Sequence, residues 1–444
     1  MKNNNMKSNH FLIIAFVILL SFISAKAQNP VIRNQFSADP TARVFNGKVY
    51  LYPSHDIVAP KDKNLKKDWF CMEDYHVFST ANLTNWTDHG VIVSQTKVPW
   101  LTKTNYDMWA PDCVYKNGKY YFYFPVGGKI GVATASKPEG PYTVLEKPVT
   151  GIGGIDPCIL LDKNGSAYIF TARGRISVAK LKENMIEVDG DVQTIANLPT
   201  KGLIEGPFAF QFNGKYYLTY PHVENKIERL EYSMSDSPMG PYKPVGVIMG
   251  ESASGCWTNH QSIVQYKGQW YLFYHDNDYS PKFDKNRSVK IDSLFFNTDG
   301  TIRKVIPTLR GVGLVDASKE IQIDRYSRIS DKGIAVDFID STNTFKGWKT
   351  IFTAKDAWIQ FNAVDFGKKS YKSVVVKAIS KTGGSIQVHL NSTNGPIIAI
   401  LNVPKSDDWQ TVKVSGSKLK PGVQNLVLSA ANNNPVEVDW ISFE

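Results

Sequence analysis

The sequence predicts an all-β chain in two parts, a five-bladed β-propeller followed by a β-sandwich of the jelly-roll kind. Three observations point there. A phrase made of a polar head, an apolar strand, a turn glycine and an aromatic strand is written five times at intervals of about fifty residues, which is the mark of a propeller. A closing phrase, Ser136-Lys137-Pro138-Glu139-Gly140-Pro141-Tyr142, returns as Ser237-Pro238-Met239-Gly240-Pro241-Tyr242. Beyond residue 320 the repeat gives way to short alternating strands separated by polar turns.

In chain order, residues 1–27 read as an export signal. Two lysines precede an apolar run from Phe11 to Ile23, and Ala25-Lys26-Ala27 fits a small-x-small cleavage site before Gln28. The run is too short for a comfortable membrane span. The first cysteine is Cys71, so a lipoprotein anchor has no support, and export to the periplasm or the cell exterior is expected. Residues 28–316 carry the repeat. Its heads are Asp39-Pro40, Ala110-Pro111, Asp156-Pro157, Glu205-Gly206-Pro207 and His260-Gln261, each followed by a strand and then a turn at Gly47, Gly118, Gly165, Gly214 or Gly268. Residues 54–72 form a long charged insertion with His55, Asp56 and Trp69, and such loops gather at the ends of a disc, where sites form. No long 3.6-residue period interrupts this region. Residues 317–444 read as the sandwich, with strands expected at 334–338, 357–361, 373–376, 386–390, 410–414, 425–428 and 436–441.

Composition narrows the function. The 444 residues carry a net charge of +10, from lysines scattered between strands rather than clustered, so nucleic acid is not an expected partner. Cys71, Cys113, Cys158 and Cys256 show neither metal spacing nor close pairing. A monomer is expected.

The innermost strand of each propeller blade lines the central channel. Asp39, Trp109-Ala110, Asp156, Glu205 and His260 are therefore expected to face one axial pocket. Asp-Pro alone initiates turns, but three acids at equivalent positions are costly to converge, because like charges raise one another's pKa. That cost points to chemistry. Inverting glycoside hydrolysis needs one carboxyl to protonate the leaving oxygen and another, about 6.5–9.5 Å away, to deprotonate water on the opposite face of the sugar. No Gly-rich phosphate loop, zinc motif or Ser-His-Asp order stands out.

The phrases Ala38-Asp39-Pro40, Trp109-Ala110-Pro111-Asp112, Gly154-Ile155-Asp156-Pro157 and Ile204-Glu205-Gly206-Pro207 resemble, in order and over residues 30–315, those of glycoside hydrolase family 43. The resemblance implies Asp39 as general base, Glu205 as general acid, and Asp156 as the group that orients Glu205 and tunes its pKa. It also implies an axial histidine beneath the sugar, here His260, sometimes with a calcium ion near it, and an arginine reaching the pocket, here Arg287. No other cofactor is implied. Trp109 is the candidate for an apolar wall, and His55 and Asp56 are candidates for the sugar subsite. Residues 319–444 resemble a family 6 carbohydrate-binding module through Ala357-Trp358-Ile359-Gln360-Phe361, Asp408-Trp409-Gln410-Thr411 and Val438-Asp439-Trp440-Ile441. Phe352 and Trp409 are its candidate sugar-stacking residues, while Glu437 stands where the resemblance expects an asparagine.

The expected activity is exo-acting, inverting removal of terminal α-L-arabinofuranosyl or β-D-xylosyl residues from plant cell-wall polysaccharide or its oligosaccharides. Two alternatives stay open. An endo-acting arabinanase or xylanase of the same fold needs an open groove where the 54–72 insertion would build a wall. A non-catalytic sugar-binding propeller needs no acid and base, and retention of all three acids argues against it.

Overall fold

The computed structural model describes residues 29–63, 65–202, 204–368, 370–417 and 421–444. The expected export signal lies outside the described residues. Among them the only helical elements are two three-residue 3-10 turns, Gln95–Lys97 and Thr344–Lys346. None is long and apolar enough to cross a membrane.

Five antiparallel meanders follow one another over residues 38–94, 112–144, 155–194, 208–249 and 262–294, the first four with four strands and the fifth with three. The repeated turn explains the repeated hairpin. Asn46-Gly47, Asn117-Gly118, Asn213-Gly214 and Lys267-Gly268 all have positive φ, as a two-residue hairpin turn matched to strand twist requires. The aromatic strand after each turn is the second of its sheet, and its Tyr and Phe side chains fill the space between sheets, as at Lys119–Val126 and Lys215–Val223. The closing phrases fold alike: the Tyr142 hydroxyl donates to the Pro138 carbonyl and the Tyr242 hydroxyl to the Pro238 carbonyl, both at 2.9 Å. All four cysteines are buried and free.

The first strands of the sheets meet one another. Arg43 donates from Nε and Nη2 to the two oxygens of Asp112 (2.9 and 2.6 Å), from Nη2 to the Ile159 carbonyl (3.2 Å), and lies over the Phe208 ring. One guanidinium of the first sheet thus touches strands of three others. The fifth joins the first through the Ala42 amide, which donates to Ser262 Oγ at 2.9 Å. The segment before the first strand runs along the fifth sheet, with Val31 N donating to Val289 O and Ser37 N to Arg287 O, both at 2.9 Å.

Two further six-stranded sheets face each other as a sandwich around Phe352, Ile359, Phe361, Val376, Leu428 and Ile441. Every strand expected from the alternating pattern is present; Trp348–Phe352 and Ile397–Val403 add two full strands, and Val315–Asp316, Ile321–Gln322 and Arg328–Ile329 add three two-residue ones. Val315–Asp316 already pairs, in parallel, with Val364 and Asp365. Phe352 overturns an expectation. It is fully buried, because Thr350 and Phe352 share the inward face of their strand, so its ring has no side to offer a sugar. Trp409 is half-buried, with Lys377 Nζ 5.7 Å from its ring centre. Glu437, where an asparagine was expected, pairs with Lys349 at 2.7 Å. The sandwich touches the meanders through Tyr279 stacked on Trp348 (4.8 Å, 19°), Phe36 against Phe345, and Thr344 Oγ1 donating to the Tyr279 carbonyl at 2.6 Å.

Candidate active site

Asp39 and Asp156 begin their strands with left-handed backbones, φ 46° and 52°, each ahead of a proline. In the fourth sheet that conformation belongs to Gly206, φ 51°, ahead of Pro207. Glu205 therefore reaches in from one position earlier than its counterparts. A Cβ at Gly206 would lie 2.9 Å from His260 Nδ1 and from the Pro221 ring, so glycine lets the histidine pack against this turn. Left-handed non-glycine residues cost about 1–3 kcal/mol each and persist where surroundings over-determine them, typically at functional sites.

These residues border one cavity of about 100 Å³. Asp39, Asp156, Glu205, Trp109, His260 and Arg287 all line it. The insertion contributes Trp69, Phe70 and Met72, and the loop before the fifth sheet contributes Trp257, Thr258 and Asn259. Phe70 stacks on Trp257 with ring centres 6.2 Å apart and Trp69 lies 6.3 Å from the same indole, so three aromatic rings build one wall. Composition had marked Trp69 only as part of a charged loop; Phe70 and Trp257 carried no repeat signal at all.

Two expected subsite residues do not border the cavity. Asp56 is buried behind Arg287, accepting from its Nε and Nη2 (both 2.9 Å) and from its backbone amide (2.7 Å). It positions the arginine instead of touching a sugar. His55 turns away to Asp74 (2.7 Å), and with His76 forms a half-buried group whose ligand-type atoms lie within 4.8 Å of one another.

Arg287 then grips Asp39, with Nη1–Oδ1 2.8 Å and Nη2–Oδ2 3.1 Å. Ser54 Oγ donates to Asp39 Oδ2 at 2.6 Å. The Asp39 amide donates to His275 Nδ1 (3.1 Å) while His275 Nε2 lies 3.0 Å from the Thr258 carbonyl, an arrangement that fits a neutral imidazole protonated on Nε2. Burial lowers His275 in the same direction, with Arg287 adding to it. Burial pushes the Asp39 carboxyl up, but Arg287, His275, His260 and Ser54 together outweigh it and hold Asp39 well below the usual carboxylate range.

The other acids move the opposite way. Burial, with the charge of Asp39, raises Glu205 and outweighs the hydrogen bond with Glu228 and the charge of Arg287, which lower it. Burial, then Glu205 and Asp39, raises Asp156 well above its ordinary value. Asp156 Oδ2 accepts from the Gly206 amide at 3.0 Å, so it holds Glu205 through the next peptide and not through the carboxyl itself. Burial lowers His260 to about 4, leaving it neutral. A fourth carboxyl, Glu228, is fully buried beside Glu205.

Calcium requires six to eight oxygen ligands. At His260 the cavity offers an imidazole beside the Arg287 guanidinium, and both Asp39 oxygens are already bonded to that cation. The donor set does not fit a protein-held calcium ion.

A sequence model of glycosyl hydrolases family 43 matches residues 27–302. The chain belongs to this family. A carbohydrate binding module (family 6) model matches residues 330–444 of the same hydrolase. Xylosidase/arabinosidase 43A of Humicola insolens is 36% identical over 326 residues, 62% of this chain and 98% of that one. An arabinoxylan arabinofuranohydrolase of Paenibacillus polymyxa is 27% identical over 467 residues, 90% of this chain and 71% of that one. Among solved structures, a family 43 β-xylosidase/α-arabinofuranosidase from a compost microbial metagenome, in complex with xylotriose, is 31% identical with a TM-score of 0.57, covering 64% of this chain and 98% of that one. An arabinoxylan arabinofuranohydrolase from Bacillus subtilis in complex with cellotetraose is 25% identical with a TM-score of 0.56, covering 94% of this chain and 97% of that one. The likeness to the bacterial arabinofuranohydrolases thus runs through both parts of this family 43 hydrolase.

Proposed function

We propose that this family 43 hydrolase is an exo-acting, inverting glycosidase that removes terminal α-L-arabinofuranosyl or β-D-xylosyl residues from arabinoxylan or arabinan chains. The observation that carries the reading is two carboxyls in opposite surroundings in one walled cavity: Asp39 is gripped by Arg287, which holds it well below the usual carboxylate range, and Glu205 has no such cation bonded to it and is raised by burial. An acid and a base coexisting at neutral pH is what this reaction needs. The names of relatives, xylosidase/arabinosidase and arabinoxylan arabinofuranohydrolase, favour these two pentoses.

In this mechanism the terminal sugar sits against the Trp69–Phe70–Trp257 wall with Trp109 on its border. Glu205 gives its proton to the glycosidic oxygen as the bond to the anomeric carbon breaks. Asp39 takes a proton from the water that attacks the opposite face of that carbon, so configuration inverts. Arg287 keeps Asp39 a base between turnovers and orients it through the paired contact. Asp156, fixed to the Gly206 amide, keeps Glu205 facing the leaving oxygen. The aromatic wall from the 54–72 insertion blocks one side of the cavity, which suits a chain end and not a threaded chain.

The reading extends to the whole molecule. Contacts between the first and fifth sheets, and the Arg43 knot among the other first strands, support a closed propeller of five blades within residues 28–316. The sandwich of 317–444 would hold substrate near the cavity or serve as a structural partner. Export as a monomer completes the proposal. Proton NMR of the first turnovers on a xylo- or arabino-oligosaccharide tests it: the initial product anomer should be the inverse of the substrate's. An initial product of retained configuration would remove Asp39 as a water-activating base.

A further inference from the structure

The mechanism leaves one buried acid unused. Glu228 opens the third strand of the fourth sheet, Glu228–Ser235, and is completely inaccessible to solvent. Its backbone amide donates to Trp257 O at 3.1 Å and its Oε2 accepts from the Asn259 amide at 2.5 Å, which pins it to the loop that lines the cavity. Its other oxygen, Oε1, is buried with no donor to satisfy it. The carboxyl lies in hydrogen-bonding contact with that of Glu205.

A carboxylate has no donor, so two carboxyls in contact need a proton between them. Among the described residues no cation pairs with Glu228. The adjacent Arg229 pairs with Glu224 and Glu231, and Arg287 is taken by Asp39 and Asp56. An unpaired buried carboxylate costs several kcal/mol, and a protonated one does not. The charged and titratable groups acting on the pair are Asp156 and Asp39, which oppose loss of the proton, and Arg287, which favours it.

We propose that Glu228 is a positioning residue for the hydrolysis: it shares one proton with Glu205 and orients that carboxyl. Each carboxylate opposes ionisation of the other, so the pair gives up its last proton at a higher pH than a single carboxyl in its place would. This rests on the reading of Glu205 as the general acid. In a turnover the shared proton leaves on the glycosidic oxygen, whose bond to the anomeric carbon breaks with the electron pair going to oxygen. Asp39 gains the proton lost by the attacking water, so the site's charge is unchanged until solvent returns one proton to the pair and removes one from Asp39. The pattern was legible in part. Glu228, Leu230 and Tyr232 share one strand face, and the other two are core residues, which marks the glutamate as inward-facing.

The test is the pH profile of kcat/KM on an unactivated pentose oligosaccharide for wild type and Glu228→Gln. The amide keeps an oxygen for Asn259 and a donor for Glu205 but removes the shared charge. The alkaline limb should move to lower pH by about one pH unit, a tenfold change in proton affinity. An alkaline limb that stays in place, whatever happens to the rate, overturns the proposal. Infrared difference titration of wild type against Glu205→Gln provides a second reading that needs neither activity nor a folded Glu228 variant. A protonated-carboxyl band that persists above neutral pH in wild type and is altered in Glu205→Gln supports the shared proton. Identical bands in the two proteins contradict it. If Glu205→Gln keeps full activity on the oligosaccharide, the acid assignment fails, while the infrared comparison still decides whether the proton is shared.

Discussion

At Arg287 one guanidinium compensates two buried carboxylates, Asp39 in front and Asp56 behind. Removing one partner of a buried pair leaves uncompensated charge and costs about 3–5 kcal/mol. Arg287→Met should lose about that much in urea unfolding and lower kcat/KM at least about a hundredfold, because the base loses both its poise and its orientation. A loss below about 1 kcal/mol would mean the two acids ionise less than the geometry implies. The site also sets a pH dependence of stability. Asp39 lies below its unfolded value, so its contribution is present above the ordinary carboxylate range and is lost as pH falls through its depressed folded value. Asp156, Glu205 and Glu228 lie above theirs, so their contribution is full below that range and is lost as pH rises through their raised values. These three acids should therefore make the melting temperature of wild type decline as pH climbs from about 4 upward, against a rise from His260 and His275, whose lowered values favour folding as pH climbs toward the ordinary imidazole range. The decline should be shallower in Glu205→Gln, and parallel curves for the two proteins would contradict these raised values.

The 54–72 insertion matters as an element because it brings Trp69 and Phe70 against Trp257. A ring that packs on sugar equally in ground and transition states changes KM more than kcat. Trp257→Ala should raise KM about tenfold, at a cost near 1.4 kcal/mol, with kcat changed less than about threefold. A fall confined to kcat would instead place that indole at the reacting atoms. The repeat made much of this scaffold readable. Asn-Gly turns fix hairpin geometry through backbone conformation alone, so Asn46-Gly47, Asn117-Gly118 and Asn213-Gly214 are visible without tertiary information. The three acids were visible because Asp39 and Asp156 sit at the same place in that repeat and Glu205 one residue before it. Residues that join the site through long-range contact were not. Phe70, Trp257, His275 and Glu228 occupy positions whose meaning depends on what lies across the cavity. Phe352 shows the converse: it lies in a strand, Trp348–Phe352, that the alternating pattern did not predict, so nothing local said that its ring meets the core.

At the scale of the whole molecule, five small sheets each lend a first strand to one centre, and the acids stand at the starts of those strands. The burial that packs the sheets together raises Glu205, and the Arg287 guanidinium buried in the same interior holds Asp39 down, so fold and chemistry draw on the same low-dielectric interior. The Arg43–Asp112 pair lies among the same strands and ties them together. The sandwich packs on this body through Tyr279 and Trp348, and its fully buried Phe352 leaves the half-buried Trp409 as the one expected stacking residue with an accessible ring. Whether Glu205 protonates the leaving oxygen at a chain end is read most directly from a time course of products from arabinoxylan and xylo-oligosaccharides with wild type and Glu205→Gln. Free pentose should be the only product from the first time points with wild type and should be absent with the variant. A ladder of oligosaccharides, or pentose release that survives the substitution, would contradict the account.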